Sequence, residues 1–150
     1  MTNILIKGSG DVTDKKMFFK FVTKRAPGNR IVIICGGGTK ISKTLQKAGY
    51  EIAFDELGRR ITKTSKERLI MKKTLEREKK RLESKFTQKN ITIVPSFIYA
   101  GSILCPINGD DLVKAYELGF DEIFVFTKKD RIKKKRGIFQ NLSKIKIIGI

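Results

Sequence analysis

The 150-residue sequence predicts an α/β fold, a mainly parallel sheet flanked by helices, in one domain spanning residues 1–150. Two observations carry this. Short apolar runs bounded by turn residues alternate with segments whose apolar residues recur at helical spacing. Twice within the first 40 residues, a strand-like run stops on glycines, at Lys7-Gly8-Ser9-Gly10 and at Cys35-Gly36-Gly37-Gly38.

In chain order, Asn3–Lys7 reads as a buried strand broken by Gly8. Met17, Phe18, Phe21 and Val22 give a helix over Thr13–Arg25. Pro27-Gly28-Asn29 is a turn, and Ile31–Cys35 is a continuous apolar strand. Ile41, Leu45 and Ala48 give a helix closing at Gly49. Thr64 and Glu67 fit a capping box that opens a long helix to Phe86. Between Lys66 and Lys85, 13 of 20 residues are charged, so only the stripe Met71, Leu75, Leu82 and Phe86 is left to pack. Ile91–Val94 is a strand, Pro95–Gly101 extended or loop, and Ile103–Cys105 a further short strand. A helix opens at Asp110 or Asp111 and stops at Gly119. Glu122–Thr127 is a buried strand, a basic loop follows, and Lys144–Ile150 is the last strand.

Lys and Arg number 33 against 15 Asp and Glu, a formal net charge of +18. That balance suits anionic partners: phosphorylated metabolites, nucleotides, nucleic acid or a membrane surface. No aromatics interleave the basic runs, which ranks nucleic acid below small anions. No apolar run approaches the length of a transmembrane helix, and the N-terminus lacks a secretory leader, so a cytoplasmic location is expected. Cys35 and Cys105 lie in apolar surroundings without C-x-x-C spacing, which predicts two reduced, buried thiols and no zinc site.

Neither named nucleotide fingerprint is present. A dinucleotide motif demands a glycine where Ile41 stands, and no P-loop starts at Gly8 or Gly36. What remains is a glycine-rich turn between a parallel strand and a helix N-terminus, where backbone N–H groups and the helix dipole favour an anion. Lys7 places an ammonium group beside a second such turn. Parallel strands put both turns on one sheet edge, where open α/β sheets bind ligands. Asn108-Gly109-Asp110-Asp111 is expected at the same edge. Two carboxylates there have two uses, holding Mg²⁺ or orienting a lysine.

Lys7-Gly8-Ser9-Gly10-Asp11, the glycine run in VIICGGGTKIS and the stretch NGDDLVKAYELGFDEIFVFTKKD, taken in this order, resemble the amino-acid kinase family. The resemblance implies a three-layer α/β/α sandwich, with ATP and Mg²⁺ as cofactors. It implies transfer of the ATP γ-phosphoryl group to a small anionic acceptor such as a carboxylate, carbamate or phosphate. By resemblance, Lys7 stabilises the transferring group and Asp110 organises lysines. Gly8, Ser9, Gly10, Gly36, Gly37, Gly38, Arg59 and Asn108 meet phosphate or substrate, with Arg60 an equal candidate to Arg59 for the acceptor. Thr127, Lys128, Lys129 and Lys133 face the nucleotide; no residue is assigned to a metal, and a homodimer is expected.

The sequence departs from that pattern at Ser9 and Asp11, and at Thr127-Lys128-Lys129-Asp130-Arg131, where the family has T-D-x-x-G. Family members also carry a further segment that completes the nucleotide pocket. These departures favour, as the alternative, a non-catalytic nucleotide- or anion-binding protein of the same fold. From Lys128 to Arg136, seven of nine residues are cationic, which suits charge-driven binding of polyphosphate. Charge-driven nucleic-acid binding is the third reading.

Overall fold

The computed structural model describes all 150 residues. Its centre is a five-stranded sheet made of β1 (Asn3–Gly8), β2 (Arg30–Cys35), β5 (Ile91–Pro95), β8 (Glu122–Thr127) and β9 (Ile145–Gly149). The order across the sheet is β5-β2-β1-β8-β9, and every neighbouring pair is parallel. Around it lie α1 (Lys16–Arg25), α2 (Gly38–Lys47), α3 (Ser65–Lys85), α4 (Gly109–Tyr116) and α5 (Ile132–Ile138). Two antiparallel hairpins complete the chain: β3 (Ala53–Phe54) with β4 (Arg60–Ile61), and β6 (Phe97–Ala100) with β7 (Ile103–Pro106).

The strands are buried on both faces, and their residues alternate between two cores. Ile4, Ile6, Ile31, Ile33, Phe124 and Phe126 point to one side, where Phe18 and Val22 of α1 and Leu82 of α3 cover them. Leu5, Ile34, Ile123 and Val125 point to the other, against Leu112 and Val113 of α4 and Phe139 just beyond α5. Helices on both faces of a parallel sheet make the expected α/β/α sandwich.

The long charged helix behaves as its pattern demands. Thr64 Oγ1 accepts from the Glu67 N–H at 3.1 Å, and Glu67 Oε2 accepts from the Thr64 N–H at 2.6 Å, a closed capping box. Met71 and Leu75 pack on Ile41 and Leu45 of α2. Glu78 is buried beside this stripe and takes Lys40 Nζ at 2.7 Å and Arg81 Nη2 at 2.9 Å. A narrow apolar stripe is thus extended by ion pairs.

Several expectations need correction. The basic segment after β8 is not a loop: Lys129–Arg131 form a single 3₁₀ turn and Ile132–Ile138 an α-helix. Ile132, Lys135 and Phe139 lie on one helical face, and Ile132 sits against Gly149 of β9, where a Cβ would collide with it. The first helix starts at Lys16 instead of Thr13, because the Ser9 carbonyl accepts from the N–H groups of Val12 and Thr13 and turns the chain there. Pro95–Gly101, by contrast, is extended as expected, largely strand and folded into the β6–β7 hairpin over Gly101, whose φ of +58° suits a residue without a Cβ. Cys35 is buried, but Cys105 on that hairpin is half-buried. No helix is long and apolar enough to cross a membrane.

Candidate functional site

The chain runs from β1 through β2 to β5, then returns to the other side of β1 for β8 and β9. The strand order therefore reverses between β1 and β8, and at such a reversal the loops leaving the carboxyl ends diverge and open a crevice. A cleft of about 1260 Å³ occupies this place. Ser9, Gly10, Gly36, Gly37, Gly38, Arg59, Arg60, Asn108, Asp110, Thr127 and Lys135 are among its walls.

Strand parity aims the central group. Leu5 and Lys7 share the β1 face turned toward α4 and α5, so the Lys7 ammonium runs under the start of α4. There its Nζ donates to Asp110 Oδ1 at 2.8 Å, with both side chains less than a tenth exposed. The second oxygen, Asp110 Oδ2, accepts from Lys135 Nζ of α5, whose side chain is 13% exposed. Asn108 caps α4 by accepting from the Asp110 N–H at 2.8 Å, which fixes the carboxylate at the helix start. Lys7 passes close beneath Gly109, where a Cβ would stand 3.1 Å from Lys7 Cε.

The electrostatics follow from this count of two cations to one anion. Burial pushes the Asp110 carboxyl upward, but Lys7 and Lys135 outweigh it and hold the group below the ordinary carboxylate range. Lys135 is pushed down from its usual value, first by burial and then by Lys7, against the attraction of Asp110. The trio keeps one surplus positive charge beneath the cleft.

The glycine turns are placed together, and part of their purpose is mutual. A Cβ on Gly10 would stand 3.2 Å from the Gly36 carbonyl oxygen, and one on Gly36 would stand 3.4 Å from the Gly8 carbonyl oxygen. Gly8 lies beneath the turn, where a Cβ would meet Thr13 and Phe18 at 2.6 and 3.0 Å. Gly37 is closed off by Leu75 and Ile41, whereas a Cβ on Gly38 would have nothing within 4 Å. The bare backbone therefore serves turn-on-turn packing at Gly10 and Gly36, and open cleft at Gly38.

On the opposite wall, Arg60 leaves β4 with its guanidinium over the Phe54 ring, 4.9 Å from the centroid. Its Nη2 donates to the Gly38 carbonyl and to Ser42 Oγ, both at 2.9 Å. Burial lowers its pKa from the usual arginine value. Arg60 Nη1 and Thr127 Oγ1 are the two buried side-chain polar atoms without a hydrogen-bond partner, and both residues line this cleft.

Of the remaining expected residues, Arg59 lines the rim but spends its guanidinium on Asp55 at 2.7 Å. Lys128 pairs with Asp11 at 3.1 Å, and Lys129 and Lys133 are exposed. None of those three lysines lines the cleft. Lys135, hidden within the basic run, is the residue that sequence reasoning passed over. Its helical register with Ile132 and Phe139 was the available signal, readable once the run is taken as a helix. The Mg²⁺ use of the acidic pair does not suit the donors: Asp110 is filled by two ammonium groups, Asp111 faces Lys114 at 3.8 Å, and no three acidic, Cys or His residues cluster.

No family model matches the sequence, and no curated protein matches it. Among the solved structures that share the fold are two of N-acetylglutamate synthase from Neisseria gonorrhoeae. One is complexed with coenzyme A and N-acetyl-glutamate, with a TM-score of 0.75, 10% identity, and coverage of 99% of this chain and 54% of that one. The other is complexed with coenzyme A and L-arginine, with a TM-score of 0.72, 10% identity, and coverage of 99% and 56%. The chain thus spans about half the length of the solved chains it matches.

These findings correct the expected identity. The resemblance to ATP-dependent amino-acid kinases, the phosphoryl-transfer activity and the ATP and Mg²⁺ cofactors are not upheld. The two structures above are of a synthase with coenzyme A, and no family model matches the sequence.

Proposed function

We propose that the cleft binds a small carboxylate-bearing metabolite, with Arg60 as the anchor for its carboxylate. The carrying observation is the pair of unpartnered polar atoms, Arg60 Nη1 and Thr127 Oγ1, on the walls of one cleft. An orphaned buried donor costs about 1–3 kcal/mol, which a ligand acceptor recovers on binding. The surplus charge on Lys7, Asp110 and Lys135 adds a field that draws an anion inward. Both ligands named beside coenzyme A in the solved structures, N-acetyl-glutamate and L-arginine, bear a carboxylate, which supports the same class. Acetyl transfer is an activity of those longer chains; here it enters as an arm of the test.

Calorimetry with glutamate, N-acetyl-glutamate and succinate, each beside its amide counterpart, tests this reading. A carboxylate is expected to bind and its amide to fail. Arg60→Ala is expected to lose about 10- to 100-fold in affinity, the value of a charge-assisted hydrogen bond. Equal affinity for acid and amide, or an unchanged affinity in Arg60→Ala, overturns the proposal. Acetyl-CoA consumption in the presence of the tightest ligand separates transfer from binding alone.

A further inference from the structure

Two lysines converge on one carboxylate in a place almost closed to water, with Lys135 on the wall that faces the cleft. The charged groups on Lys135 from the packed elements are Asp110 of α4 and Lys7 of β1. One proton more than neutrality requires is therefore held there. Loss of that proton from Lys135 leaves a balanced pair, Lys7 with Asp110, and an uncharged primary amine beside the cleft.

We propose that Lys135 is a nucleophilic amine and a modification site, acylated by small activated acyl donors of the thioester class that enter the cleft. The step balances without any further reactant. After Lys135 gives one proton to water, the Nζ lone pair attacks the thioester carbonyl carbon. The C–N bond forms, the C–S bond breaks, and the departing thiolate takes the second proton from nitrogen. The product is a neutral amide, which removes the surplus charge from the buried trio. An aldehyde forming a protonated imine keeps that charge, so the acyl donor is the class that the site favours. Burial and the neighbouring Lys7 both lower the Lys135 pKa, consistent with this use of the amine. The inference shares the cleft with the carboxylate reading but does not depend on it.

The test treats the full chain with a small acetyl thioester, N-acetylcysteamine thioacetate, at mildly alkaline pH with no carboxylate ligand present. Site-resolved mass spectrometry follows each lysine. Lys135 is expected to acetylate about tenfold faster than the exposed Lys129, Lys133 and Lys134, because burial and Lys7 both favour its neutral amine. Unfolding in urea is expected to erase that preference. A folded-state rate at Lys135 no higher than at those neighbours, or acetylation at Lys7 in its place, overturns the proposal. Because no carboxylate is present, failure here leaves the calorimetric result unaffected, and the reverse holds equally.

Discussion

Lys7 and Lys135 place their ammonium groups on the two oxygens of a single buried carboxylate, that of Asp110, from elements 128 residues apart in sequence. Each cation is tolerated because the anion is there. Asp110→Ala leaves two buried, mutually repelling charges, and is expected to cost about 3–5 kcal/mol of stability, the penalty for breaking a buried pair from one side. Urea unfolding reads this directly. A loss within the range of an ordinary surface substitution would mean that water reaches the trio freely.

The contact between Gly10 and Gly36 predicts a second asymmetry. Gly10→Ala pushes a methyl group toward the Gly36 carbonyl oxygen, an atom that cannot swing aside, and is expected to cost about 1–3 kcal/mol. Gly38→Ala meets nothing and lies at the start of α2, so its stability is expected to stay within about 0.5 kcal/mol of the parent. Thermal unfolding of the two variants side by side checks the pair. Similar losses would show that all three glycines serve turn geometry alone.

Much of this was legible in the sequence because strands buried on both faces advertise themselves. Ile31–Cys35 and Ile123–Phe126 are unbroken apolar runs, and the capping box at Thr64 and Glu67 marks its helix start with two side chains. Lys7, Asp110 and the glycine turns were placed at one sheet edge by topology alone. What escaped was decided by tertiary packing. The helix α5 reads as a charged loop because its apolar anchors are few, Ile132 against Gly149 of β9 and Ile138 and Phe139 in the core beside α4, while a further anchor is a lysine held by Asp110. Arg60 looked equal to Arg59 until Asp55 claimed one and the start of α2 claimed the other. The functional class was misjudged for a related reason: turns that hold anions are shared by proteins of different chemistry on one fold.

Acid should loosen the protein through identifiable carboxylates. At Asp110, burial raises the pKa but the lysines more than reverse it. At Glu78, burial likewise raises it and Lys40 and Arg81 prevail, while the hydrogen bond from Lys85 leads the lowering at Asp14. Folded values below the ordinary 3.8 and 4.5 mean that the unfolded chain binds protons first as pH falls. Their stabilisation is therefore complete above the ordinary carboxylate range and is lost as pH drops through the folded values. Urea midpoints are expected to be flat from neutrality to the ordinary carboxylate range and to fall below it. Glu78→Gln should lessen that fall; an undiminished slope would remove Glu78 from the account.

The two thiols should differ sharply. Cys35 is 1% exposed, and burial followed by the nearby Glu78 pushes its thiol up to about 12. Cys105 is half-buried on the β6–β7 hairpin. A chromogenic disulfide at mildly alkaline pH is expected to titrate one thiol promptly, at Cys105, and the second only at the rate of global opening. Two prompt thiols would show that the sheet end at Cys35 opens locally.

Removing the surplus cation should have the opposite sign to removing its anion. Lys135→Met keeps the helical register of α5 and the packing of the side-chain stem, yet leaves Asp110 paired with Lys7 alone. Lys135 is a second buried cation on a carboxylate that Lys7 already balances, so its desolvation and its repulsion by Lys7 offset the attraction of Asp110. The expected melting temperature is therefore equal to or above that of the parent. The same change takes away the field that draws an anion into the cleft, so carboxylate affinity is expected to fall while stability does not. Calorimetry and thermal unfolding of one variant separate the two effects. A strongly destabilised Lys135→Met would show that the Lys135 contact to Asp110 holds the fold together, and that the surplus charge is not a cost kept for binding.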